Sequence, residues 1–113
     1  MKIIDWQKEF QCAITICDTD GVIIYMNDKA AKDFEKDGGQ DLIGTNVLDC
    51  HPEPSKSQLK DMLLNQKTNI YTIEKNGIRK LIYQSPIYES NIYIGLIEIS
   101  FEIPFEMEHF VRK

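Results

Sequence analysis

Asp49-Cys50-His51-Pro52 is the one cluster in this chain whose residue types could do chemistry. A neutral imidazole is a good iron ligand, so His51 is a candidate axial ligand for a haem. No C-x-x-C-H occurs, which argues against covalent attachment. Cys50 and His51 could instead join further residues on a metal. A closed zinc site wants four ligands, and the chain holds 3 Cys and 2 His in all. Cys12 and Cys17 fall on one expected strand at spacing that points them to opposite faces, and His109 sits in the tail, so no metal site is expected. Cys50 could also be a redox-responsive thiol, with its pKa lowered by a nearby imidazolium or helix end. The bland alternative is that Cys50 is a small packing residue and His51 orders its own turn by a local hydrogen bond. Neighbours in extended chain point apart, so adjacency alone makes no nucleophile–base pair, and the bland alternative outweighs the site readings.

Bulk properties narrow the classes. With 113 residues, 42% hydrophobic and 27% charged, the chain fits one domain with one core. A formal net charge of −5 and the lack of any Lys/Arg run argue against direct nucleic-acid binding. Apolar stretches are far shorter than a membrane span, and no apolar signal segment follows Met1-Lys2, so a cytoplasmic location with no membrane contact is expected. An odd set of cysteines without framework spacing implies reduced thiols. There is no phosphate-binding glycine loop and no pair of carboxylates on one helix face, so no enzymatic activity is expected.

The elements that must position the cluster begin at Asp18–Phe34. Asp20-Gly21 lies between apolar runs 12–17 and 22–26 and signals a tight turn between two strands. Asn27 stands where a helix N-cap belongs, and Ala30, Ala31 and Phe34 follow at helical spacing. Gly38-Gly39 marks a loop, Asp41 a single turn, and Pro52 and Pro54 forbid a long helix through 44–55. A helix starting at Ser55 or Ser57 carries Leu59, Met62 and Leu63 on one face. Three strands complete the pattern: 68–74, 78–88 after Asn76-Gly77, and 92–103 after Glu89-Ser90-Asn91. In the last strand Ile97, Ile99, Phe101 and Ile103 share one parity against Glu98, Ser100 and Glu102, so the apolar parity is expected to face the core. The expected fold is α+β, a five-stranded antiparallel sheet with short helices packed on one face.

Asp18-x-Asp20-Gly21 leading to Asn27 and then alanines, Leu42-Ile43-Gly44 after the helix, and a last strand opened near Gly95 together resemble a PAS domain over about residues 12–103. Cys50-His51-Pro52 followed by Ser55-Lys56-Ser57 is similar to a Cys-His-Pro motif in some bacterial PAS domains. The resemblance implies a sensor or signalling domain with a cavity between sheet and helices, crossed at its mouth by 44–55. Haem-binding relatives draw a histidine from the helical side, which is the role His51 would take. Light-sensing relatives place their cysteine in an Asn-Cys-Arg-Phe-Leu-Gln run that is absent here, so no flavin is expected. The cavity is expected to be lined by Cys50, His51, Leu59, Met62 and Leu63 from the helices, and by Ile82, Ile97, Ile99 and Phe101 from the sheet. Residues 1–11, with Ile3, Ile4, Trp6 and Phe10, are expected to form an amphipathic helix that packs on the sheet or pairs two copies. Residues 104–113 are expected to be a tail or the start of a linker. Expected partners are a second copy, a small molecule and an output domain or signalling partner. The rival expectation is an interaction module with a filled core.

Overall fold

Two strands that pair through a turn need something to hold the helix that follows, and here one side chain does so. β1 (Ala13–Cys17) and β2 (Ile23–Met26) are antiparallel neighbours, and Asn27 caps α1 (Asp28–Asp33) directly after β2. The computed structural model describes residues 5–113. Asn27 is 0% exposed. Its Oδ1 accepts from Ile14 N at 2.9 Å and Ala30 N at 3.0 Å. Its Nδ2 donates to the carbonyls of Gln7 at 2.9 Å and Cys12 at 2.8 Å. A buried amide with all four hydrogen bonds made is stabilising, and each bond lost would orphan a buried partner.

The turn between β1 and β2 is closed by Asp18, whose Oδ1 accepts from Asp20 N and Val22 N, each at 2.9 Å. Gly21, at φ +91°, occupies a conformation that L side chains rarely adopt. A Cβ there would also crowd Asn46 Oδ1 at 2.9 Å.

After α1 the chain steps through short 3₁₀ turns at Glu35–Asp37, Gly39–Leu42 and Val47–Cys50. It then enters α2 (Ser55–Asn65). The start of α2 is capped from outside the helix: Glu53 accepts from Ser57 N at 2.9 Å and from the Ser57 hydroxyl. β3 (Asn69–Lys75), β4 (Ile78–Glu89) and β5 (Ile92–Ile103) finish the sheet. Its order is β2-β1-β5-β4-β3 with every pairing antiparallel. β5 therefore lies at the centre, next to β1. Gly95 permits that approach, because a methyl there would overlap the Cys17 carbonyl oxygen.

Helices cover one face of the sheet. Leu59, Met62 and Leu63 of α2 pack with Cys17 and Leu96, while Ala13, Ile23, Met26 and Ala30 form a second cluster. Burying each large apolar side chain contributes roughly 1.5–3 kcal/mol. The expected α+β sheet architecture is thus the observed one. The expected N-terminal helix does not form over residues 5–11, which run as turns. Its carbonyls are engaged elsewhere: Gln7 O takes Asn27 Nδ2 and Lys8 O takes Asp28 N at 3.0 Å. Ile3 and Ile4 of that pattern lie outside the described residues. Residues 104–113 carry no helix or strand. Among the described residues no helix is long and apolar enough to cross a membrane.

Asn27→Ala is expected to lower the unfolding free energy in urea by roughly 2–4 kcal/mol, the cost of a lost cap plus orphaned backbone groups. Asn27→Asp should not restore it, since it keeps the acceptor, loses both Nδ2 donors and buries a charge. Full stability in either variant would show that the staple is dispensable.

Candidate functional site

The mouth of the cavity is built from the same turn that joins β1 and β2. Ile23 N donates to Thr45 O at 2.9 Å, Gly44 N to Ile23 O at 2.8 Å, and Val47 N to Gly21 O at 2.8 Å. Asn46 Nδ2 reaches Asp20 O at 2.9 Å, and its Oδ1 caps the following turn at Leu48 N. Residues 44–47 are thereby laid along β2, which fixes where Cys50 and His51 emerge. His51 Nδ1 lies 2.6 Å from the Val47 carbonyl. A carbonyl can only accept, so Nδ1 carries the proton and the neutral ring presents its lone pair at Nε2.

Behind this segment is a cavity of about 520 Å³. Ile23, Met26, Phe34, Leu42, Val47, Leu59 and Leu96 supply its apolar lining. Thr15, Gln84 and Glu98 supply a polar wall from the sheet, with Asp37, Cys50 and His51 around the helical side. A smaller recess of about 350 Å³ continues from it, sharing His51, Leu59 and Gln84 and adding Met62, Asn69 and Tyr71.

The polar wall follows from strand register. Met26, Thr15, Glu98, Gln84 and Asn69 stand opposite one another across all five strands, so their side chains share a face. Asn69 Nδ2 donates to Gln84 Oε1 at 3.2 Å, and Gln84 Nε2 donates to Glu98 Oε1 at 2.8 Å. Gln84 is 8% exposed. The Glu98 charge is felt nearby: burial first, then Glu98, raises the Tyr71 hydroxyl above its ordinary value.

The structure brings together only part of the expected site. Cys50, His51 and Leu59 line the cavity, and Met62 lines the recess. Leu63 packs in the core beneath Gly21. Ile82 is buried on the helix-facing side, opposite Ser100, outside the lining. Ile97, Ile99 and Phe101 do not reach the cavity. They share the parity opposite to Leu96 and Glu98 and lie on the outer face, with Ile16, Leu81 and Tyr83 as neighbours. The reason is that the inner parity of β5 is the polar one, while the outer parity is apolar without helices over it.

Thr15, Gln84, Glu98, Phe34, Asp37, Leu42 and Val47 were not legible as site residues. The usable signal was Asn27. α1 begins directly after β2, so the parity of β1 that packs with Met26 and Ala30 is the helix-facing one. Thr15 stands opposite Met26, and Glu98 opposite Thr15. The four tyrosines of β3, β4 and β5 also divide. Tyr71 lines the recess, Tyr83 faces outward, and Tyr88 and Tyr93 donate hydroxyls to Gln66 Oε1 and Leu63 O at the end of α2. Among the described residues no group of three or more His, Cys, Asp or Glu side chains is placed to hold a metal ion.

Comparison with known proteins places this geometry. A family model described as "PAS domain" matches residues 11–103. A C-terminal domain from Streptococcus mutans superposes at TM-score 0.67 with 19% identity, covering 84% of this chain and 78% of that one. The PAS domain of the histidine kinase ThkA gives TM-score 0.63 and 20% identity, covering 80% and 98%. The Aer2 receptor of Vibrio cholerae, described as a dual PAS-haem oxygen sensor, gives 0.59 and 15%, covering 82% and 95%. At these identities the likeness is one of fold. No curated protein matches the chain.

The thiols should separate by environment. Cys50 is exposed and Cys17 buried, and burial pushes the Cys17 thiol up to about 11 from the ordinary 9.0. Alkylation at about pH 8 with peptide mass spectrometry is expected to mark Cys50 early and to reach Cys17 only after unfolding. Because the folded thiol holds its proton longer, the stabilisation from keeping Cys17 neutral is complete below about pH 9. It is lost as pH rises through about 11. Labelling of Cys17 at the rate of Cys50 in folded protein would contradict its placement.

Proposed function

The chain belongs to the PAS domain family, and from that premise we propose that it is a sensor module that binds a small molecule and passes the signal through paired copies or an output partner. PAS domains are as a rule sensory, non-catalytic units, and this chain's proposed role is a binding one in the cytoplasm. The observation that carries the reading is the cavity of about 520 Å³, walled by apolar side chains on one side and hydrogen-bonding groups on the other.

Signal transfer has a direct route in β5. Glu98 faces the cavity, and its chain neighbours Ile97 and Ile99 face outward. A ligand that prefers one placement of Glu98 biases the surface on the reverse of the same strand. That outer face, with Ile97, Ile99, Phe101, Leu81 and the exposed Tyr83, is the proposed contact for a second copy or an output domain.

Haem meets only part of what it needs. His51 has the ring arrangement of an axial ligand, with one nitrogen bonded to a backbone carbonyl and the other free. The lining, however, contributes two carboxylates, Asp37 and Glu98, and no Lys or Arg among the described residues. A macrocycle bearing two carboxylates of its own meets like charge there. The residues present do not fit haem.

Thermal unfolding with 3-methylindole, a neutral apolar probe, tests the cavity reading. The probe is expected to raise the Tm of the wild type by several degrees. It should leave Thr15→Met unmoved, since the longer side chain fills the void beside Glu98. No response in well-folded wild type, together with concentration-dependent association, would favour the ligand-free interaction module instead.

A further inference from the structure

Charge along the cavity lining is one-sided, with Glu98 half-buried and Asp37 exposed. Of its lining residues Asp37 and Glu98 are carboxylates, and neither makes an ion pair among the described residues. The hydrogen bonds of the polar wall also run in one direction. A carboxylate can only accept, so Gln84 must turn its amide nitrogen toward Glu98 and its oxygen toward Asn69. One N–H of each wall amide is thus directed within the row itself. At the Glu98 end of this hydrogen-bonded row stands a half-buried carboxylate with one oxygen accepting from Gln84 and, among the described residues, no hydrogen-bond partner for the other. The same cavity is lined by Met26, Leu96 and Leu59, surfaces suited to a flat or aliphatic hydrocarbon.

Resting on the reading of the cavity as a ligand site, we infer that its ligand is an organic amine: an apolar or aromatic body carrying a protonated nitrogen that donates to Glu98. Gln84 is the positioning residue. Buried and held by Asn69, it fixes the Glu98 carboxylate where the apolar lining meets the sheet. A carboxylate or phosphate ligand meets two negative groups there and no Lys or Arg. A neutral ligand leaves Glu98 without a cation in a half-buried place, where pairing is worth more than at the surface.

Three molecules of one shape separate the possibilities: tryptamine, 3-methylindole and indole-3-propionate, titrated into the full chain by calorimetry. Tryptamine is expected to bind about tenfold tighter than 3-methylindole, the size of one charge-assisted hydrogen bond, with the propionate weakest. Glu98→Gln should remove the advantage of tryptamine over 3-methylindole, both measured on the same variant. Raised salt on the wild type should weaken tryptamine alone, an arm that needs no variant. Binding of 3-methylindole with no gain for tryptamine, or a gain that survives Glu98→Gln, overturns the amine while leaving the cavity reading in place. Failure of all three to bind folded protein overturns both.

Discussion

Four hydrogen bonds to one buried side chain set the geometry on which the rest depends. Asn27 ties the segment before β1, β1 itself and the first turn of α1 to the end of β2. An apolar residue at that position would leave the Ile14 and Ala30 amides and the Gln7 and Cys12 carbonyls without this partner inside the protein. Because α1 starts where β2 stops, the same residue decides which face of the sheet the helices cover. Everything inward follows from it: Met26 against Ala30, Thr15 beside Met26, Glu98 beside Thr15, and Gln84 beside Glu98.

The central strand then has two occupations. Leu96 and Glu98 serve the core and cavity, and Ile97, Ile99 and Phe101 serve the outer face. Such a strand costs hydrophobic burial within the single chain, since its most apolar parity stays half-exposed. It gains a wall able to hold a charged group and an outer surface able to meet a partner. Residues 44–47 are held by backbone hydrogen bonds to Gly21 and Ile23. Under the proposed reading, the ligand is met by the sheet wall more than by the Cys50-His51 segment.

Much of the fold was legible because its signals are local chemistry. The Asp20-Gly21 and Asn76-Gly77 turns, the Asn27 cap and the apolar face of Ser55–Asn65 each state a conformation within a few residues. The boundaries of β5 were legible for the same reason. Its orientation was not. Alternation tells which residues share a face, but not whether that face meets helices or a partner, and here the polar parity turned inward. Over residues 5–11 the expected helix gives way to a long-range fact: Asn27 and Asp28 take the carbonyls of Gln7 and Lys8. The Gln84–Glu98 pair depends on β4 and β5 register, which turn residues fix only once the bulge at Ile87/Tyr88 is known.

The assignment of faces in β5 is the claim from which cavity, wall and outer surface all descend. Methyl–methyl nuclear Overhauser contacts in protein labelled at Leu, Ile and Met would test it most directly. Leu96 packs in one cluster with Leu59, Met62 and Leu63, so contacts from Leu96 to those α2 methyls are the expected result, with none from Ile97 or Ile99. Contacts from Ile97 or Ile99 to α2, with Leu96 silent, would reverse the sheet and contradict the polar wall.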